Sequence, residues 1–166
     1  MTDTPLQTPQ VGVVVDAEAD LPKMQKAIEV LEAFGIPCEI RVLSAQYMLD
    51  RVVEYAKGAQ ARGLKVLIAG SRMSNHLAGA LAAHTVLPVI GVPLSGSAFS
   101  GLDALCSTVQ MPRGVPVATV AIDGAANAGY LAAEILSIGD SDLMAQLKQH
   151  RLEERRKIEN TPPISV

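Results

Sequence analysis

Five short apolar runs recur along the chain, each stopped by small or polar residues: "VGVVV" (11–15), "CEIRVL" (38–43), "KVLIA" (65–69), "PVIGVP" (88–93) and "VATVAI" (117–122). Runs of this length, rich in Val and Ile and bounded by turn residues, predict buried strands. Between them the apolar spacing changes to that of a helix. In "LPKMQKAIEVLEAF", Met24, Ala27, Ile28 and Leu31 fall on one face, and Lys23, Lys26, Glu29 and Glu32 fall mostly off it. Pro22 suits the first turn of this helix and Gly35 its end. The segment "MLDRVVEYAKGAQARG" repeats the logic and stops at Gly63.

Strands that alternate with helices require right-handed crossovers and a parallel sheet covered on both faces. The expected fold is therefore α/β: a three-layer αβα, flavodoxin-like single domain with a C-terminal helical extension. Its body runs over residues 11–138. Residues 1–10, "MTDTPLQTPQ", form a polar, proline-containing tail, expected to be disordered. Residues 139–166 form a charged helix and tail, and Leu143, Leu147 and Leu152 give that helix only a thin apolar stripe. It is either a solvated terminal helix or one laid across a neighbouring subunit.

Composition narrows the function. The core must be built from Val, Leu, Ile and Ala, because the chain has two Phe, three Tyr and no Trp. A formal net charge of −3 gives no broad basic field, which speaks against nucleic acid as a partner. No apolar run approaches the roughly 18 residues of a membrane span. Cys38 and Cys106 form neither a metal spacing nor a disulfide framework, so a cytoplasmic location is expected. No cofactor motif and no metal-ligand spacing is present.

In an open sheet of this kind, ligands bind beyond the carboxyl ends of the strands, where strand order reverses. With the order 2-1-3-4-5, the loops "DAEAD" (16–20), "SAQY" (44–47) and "GSRMSNH" (70–76) lie side by side. Each residue there also has a structural reading. Asp20 and Ser44 can cap helices, Asp16 can simply end a strand, and Arg72 can be a solvated loop residue. His76 can be a half-buried polar group at a helix start. Alternatively, Arg72 beside helix N-termini makes an anion site.

The framework stretches "GLKVLIAG" (63–70), "HLAGALAAHTVLPVIGVPL" (76–94), "GLDALCSTVQMPRGVPVATVAI" (101–122) and "NAGYLAAEIL" (127–136) resemble the PurE family. That family comprises the N5-carboxyaminoimidazole ribonucleotide mutases and aminoimidazole ribonucleotide carboxylases. The resemblance implies a small-molecule substrate (a ribonucleotide or carboxylated heterocycle), carbon dioxide as a co-substrate and a homo-octamer. Small residues such as Ala80, Ala82 and Ala83 would allow close subunit contact. Carried over by position, Asp16, Ala17, Asp20, Ser44, Tyr47, Gly70, Ser71, Arg72 and Ser74 would bind substrate, with His76 and Gln46 at the catalytic positions.

The departures from the family pattern fall in those three loops. Where the family has G-S-x-S-D, this chain keeps Asp20 but carries Asp16, Ala17, Glu18 and Ala19. In the family's S-A-H-R, the histidine shuttles a proton and the arginine holds phosphate. Here Gln46 and Tyr47 stand in their places. An amide does not titrate near neutral pH, and losing a positioned acid–base group costs about 100- to 10,000-fold in rate. His76 is then the side chain suited to carry the proton. The expected function is PurE-like carboxyl transfer (carboxylase, decarboxylase or mutase) on an altered substrate. The alternatives are the ordinary mutase of purine biosynthesis and a non-catalytic ligand-binding scaffold.

Overall fold

A computed structural model describes residues 8–162. Five strands, β1 (Val11–Val15), β2 (Cys38–Val42), β3 (Val66–Arg72), β4 (Val89–Leu94) and β5 (Ala118–Thr119), form one parallel sheet in the order β2-β1-β3-β4-β5. Helices α1 (Leu21–Ala33) and α5 (Ala125–Ser137) cover one face, and α2 (Leu49–Ala59), α3 (His76–Ala82) and α4 (Leu102–Val109) the other. A last helix, α6 (Ser141–Glu159), docks on α5. This is the expected flavodoxin-like αβα domain with its C-terminal helix.

Side-chain parity along the strands divides the core in two. Val11, Val13, Val15, Val66, Ile68, Ile90 and Val92 face α1 and α5, meeting Met24, Leu31, Ala128 and Ala132. Val14, Leu67, Ala69 and Val89 face α2 and α3, meeting Val52, Ala56, Leu77 and Leu81. Burying side chains such as Met24 and Leu31 contributes roughly 1.5–3 kcal/mol each. Pro22 occupies the first turn of α1, and Gly35 (φ 66°) takes the left-handed turn that ends it.

Strand ends differ from the sequence reading. The third strand does not stop at Ala69, because Gly70, Ser71 and Arg72 continue the ladder, with Ser71 opposite Pro93 and Arg72 opposite Leu94. Arg72 is thus a strand residue rather than a loop residue. It shares parity with Val66 and Ile68, so it projects over the start of α1. The fifth strand is only Ala118–Thr119, since Val117 and Val120 flank it without extending the pairing.

Residues 1–7 of the expected N-terminal tail lie outside the described residues, as do residues 163–166. Gln10 is already tied in: its N–H donates to the Pro37 carbonyl at 2.8 Å and its carbonyl accepts from the Lys65 N–H at 2.7 Å. At the other end, the Asp140 carboxylate caps α6 through the N–H groups of Asp142 and Leu143 at 3.1 and 3.0 Å. Leu143 and Leu147 bury against the core while Leu152 stays 49% exposed, so only the first half of α6 is anchored by apolar contact.

Candidate active site

The ends of β1, β2 and β3 bring the three loops together as a crevice. Asp16, just past β1, is joined to both neighbours: its N–H donates to the Gly70 carbonyl at 3.3 Å, and its Oδ1 accepts from the Ala45 N–H at 3.1 Å. Gln46 then bridges the crevice. Its amide is satisfied with the nitrogen toward Asp16, at 2.9 Å from Oδ1 and 3.2 Å from Oδ2, and at 3.2 Å from Ser44 Oγ. In that setting its oxygen accepts from His76 Nδ1 at 3.3 Å. In the opposite setting the amide oxygen would accept from the Ser44 hydroxyl at 3.2 Å and the nitrogen would reach the Ser74 carbonyl at 3.3 Å. The oxygen would then face the Asp16 carboxylate, and that contact between two acceptors favours the first setting. With Nδ1 donating, the free lone pair of His76 is on Nε2, where a proton can be taken up.

Arg72 makes the second link. Its Nε lies 2.7 Å from Asp20 Oδ1 as an ion pair, with the Asp20 side chain 3% exposed and the Arg72 side chain 33% exposed. Burial pushes the Asp20 carboxyl above its ordinary value; Arg72 pulls it back, while the Asp16 charge adds to the rise. Held by its inner nitrogen, Arg72 makes no hydrogen bond through its outer two among the described residues. That planar fork suits a carboxylate or phosphate group.

Two expected caps are corrected here. Asp20 stands at the N-cap position of α1 but makes no side-chain cap bond, because its carboxylate is committed to Arg72. Ser44 caps no helix either: α2 follows Met48, and Ser44 Oγ lies instead against Gln46. Asn75 is the residue that caps, accepting from the Ala78 N–H at 3.5 Å at the start of α3.

The remaining nominated positions divide. Ala17 begins the short turn before α1, its carbonyl accepting from the Asp20 N–H at 3.0 Å. Gly70 is there for α1, because a Cβ would meet Met24 Sδ at 2.5 Å. Ser71 is buried, its hydroxyl donating to the Arg72 carbonyl at 3.2 Å. Ser74 offers its carbonyl to the His76 N–H at 2.8 Å. Tyr47 is 91% exposed and turned away from the cluster of Asp16, Gln46 and His76.

Sequence reasoning missed a neighbouring cluster. Lys23, on the first turns of α1, donates to the Ser95 carbonyl at 2.9 Å, to Ser95 Oγ, and to Asp123 Oδ1 at 3.1 Å. In sequence it lies off the apolar face of α1, as Lys26 does. Only the fold brings the loops after β4 and β5 against it. Asp123 also accepts from the Ser95 N–H at 2.9 Å and from its hydroxyl. Burial raises the Asp123 carboxyl, but the bonds from Ser95 and Lys23 outweigh it and hold the group below its ordinary value.

A cavity of about 590 Å³ opens at the opposite end of the sheet, between Phe34, Ile36, Lys65, Leu136 and Asp140. Two of its three charged groups are already engaged: Lys65 donates to Gln10 Oε1 at 3.0 Å, and Asp140 caps α6. The chemistry is gathered at the strand ends instead. Among the described residues, no three His, Cys, Asp or Glu side chains are grouped to hold a metal ion.

The AIR carboxylase family profile matches residues 10–157. The chain is 48% identical over 153 residues to the N5-carboxyaminoimidazole ribonucleotide mutase of Pyrococcus horikoshii, covering 92% of this chain and 86% of that protein. It is 49% identical over 150 residues to the enzyme of the same name from Thermotoga maritima, covering 90% and 88%. The crystal structure of Treponema denticola PurE matches with a TM-score of 0.82 at 29% identity, over 90% of this chain and 94% of that one. The match spans the sheet, both helical layers and the three crevice loops, so the chain belongs to the AIR carboxylase, or PurE, family and is an enzyme of its mutase or carboxylase type.

Proposed function

We propose that the crevice moves a carboxyl group to or from the ring carbon of a small heterocycle, with His76 carrying the proton and Arg72 holding an anionic group of the substrate. The observation that carries this reading is the chain from Asp16 through the Gln46 amide to His76 Nδ1, which leaves Nε2 as the basic nitrogen. When the ring carbon bonds to carbon dioxide, it must lose its proton, and Nε2 takes it. In the reverse direction, the same nitrogen returns the proton to the carbon as carbon dioxide departs. Gln46 cannot titrate, so its part is to orient the imidazole.

The same geometry favours a substrate altered from the ordinary ribonucleotide. Asp16, Glu18 and Asp20 bring three carboxylates to the turn after β1, and Asp20 occupies the inner nitrogen of Arg72. A phosphate dianion placed there meets like charge. Tyr47 offers it no cation.

The second reading is the ordinary mutase of purine biosynthesis, favoured by identities of 48% and 49% to proteins of that name. Assay of the purified protein with N5-carboxyaminoimidazole ribonucleotide, beside an ordinary mutase, separates the two. Turnover at least about 100-fold slower is expected; equal rates would establish the ordinary role and remove the altered-substrate reading. Exposed Val86 (92%) and Phe99 (69%) are consistent with assembly of several copies, as the family resemblance implies.

A further inference from the structure

Two ties leave the start of α1, one to the end of β3 and one to the loop that follows β4. The first is the Asp20–Arg72 ion pair. The other is Lys23, three residues after Asp20, bonded to Ser95 and Asp123. Arg72 lies between the two sides. Its Nε is fixed on Asp20, while its stem rests on Gly96, where a Cβ would come within 2.9 Å of Arg72 Cδ. Gly96 has φ 118°, a conformation that disfavours any side chain, and it directly follows Ser95.

All three ammonium hydrogens of Lys23 have acceptors in this cluster, so the lysine is not spare for a ligand. Asp123 is held in the left-handed region at φ 56°, unusual for a residue other than glycine, and its N–H donates to the Pro93 carbonyl at 2.8 Å.

We propose that Lys23, Ser95 and Asp123 are positioning residues: a clamp that sets the width of the slot holding Arg72, and so aims its outer guanidinium nitrogens at the substrate. The inference rests on the reading of Arg72 as the anion holder. The lysine fixes the distance from α1 to Ser95, and Gly96 passes that distance on to the arginine stem. Opening the slot frees the stem and lets the guanidinium swing.

Modification by phenylglyoxal, mapped by mass spectrometry, reads the slot without any substrate. Arg113, exposed on the loop before β5, serves as the internal reference. Lys23→Met is expected to raise the Arg72-to-Arg113 modification ratio about fivefold, the scale of one ordinary net hydrogen bond. Lys23→Arg should restore much of the wild-type ratio, and Ser95→Ala, a milder lesion, should give a smaller rise. A purely structural lysine would lower the melting temperature and leave the ratio unchanged. An unchanged ratio in both Lys23→Met and Ser95→Ala overturns the clamp. That result leaves the carboxyl-transfer reading standing, since turnover is measured separately. Loss of the turnover reading likewise leaves the ratio interpretable.

Discussion

Arg72→Met should destabilise the protein more than Asp20→Asn, although the two side chains share one ion pair. The asymmetry follows from burial. The Asp20 side chain is 3% exposed, so removing its partner leaves a carboxylate with almost no access to water. Breaking a buried pair from one side costs about 3 kcal/mol or more. The Arg72 side chain is 33% exposed, so in Asp20→Asn the guanidinium can turn to solvent, and the expected cost is about 1 kcal/mol. The two variants also differ in pH dependence. Burial already raises the Asp20 carboxyl, and losing Arg72 raises it further. A carboxyl with a raised folded value destabilises most above that value, and the penalty disappears as pH falls toward the unfolded value of about 3.9. The loss in Arg72→Met should therefore be smaller at pH 5 than at pH 7, while that in Asp20→Asn should be no smaller at pH 5 than at pH 7, because the substitution removes the raised carboxyl itself. Urea unfolding at one fixed protomer concentration, at both pH values, measures this. Equal losses for the two variants at pH 7, or a pH-independent loss in Arg72→Met, would refute the account of Asp20 as a buried charge held by one partner.

Other outcomes are expected from the same geometry. Gly96→Ala should cost about 1–2 kcal/mol in unfolding experiments, because it strains a left-handed residue and crowds Arg72 Cδ. Asp123→Asn should lower the melting temperature at pH 7. The gap to wild type should close as pH falls below about 4, since a depressed carboxyl stabilises only while ionised. The double replacement Gln46→His with Tyr47→Arg should restore little turnover of the ordinary nucleotide, because Asp16 and Glu18 remain beside it; recovery to within about tenfold of an ordinary mutase would contradict this. Light scattering at micromolar protomer concentration should show an assembly, and a monomer would remove the octamer.

The sheet was legible in the sequence because each strand is a short apolar run, and buried parallel strands need little else. Strand ends were harder to place. Gly70, Ser71 and Arg72 look like loop residues, yet they pair with β4 because the partner strand continues to Leu94. Conversely, "VATVAI" reads as a full strand, but only Ala118–Thr119 pairs, at the edge of the sheet. The crevice could be assigned from strand order, and the structure does bring Asp16, Gln46 and His76 into one hydrogen-bonded line. The partners of Asp20 and Ser44 could not be foreseen, because a capping residue and a buried ion-pair residue look alike in sequence. The Lys23 cluster was invisible for a different reason. Its members are 72 and 100 positions apart, and nothing local marks them.

The contrast between Tyr47 and Asn75 bears on how this site could be reshaped by design. Tyr47 lies almost wholly in solvent after an edge strand whose last residues are themselves exposed, so position 47 can be randomised with little effect on folding yield while Gln46 stays on His76. Asn75 is buried, caps α3 and donates its own N–H to Ser107 Oγ at 2.7 Å, so a library there would yield mostly misfolded protein. Any retuning of substrate preference is best sought on the β2 side of the crevice, with the β3 side kept as a fixed wall.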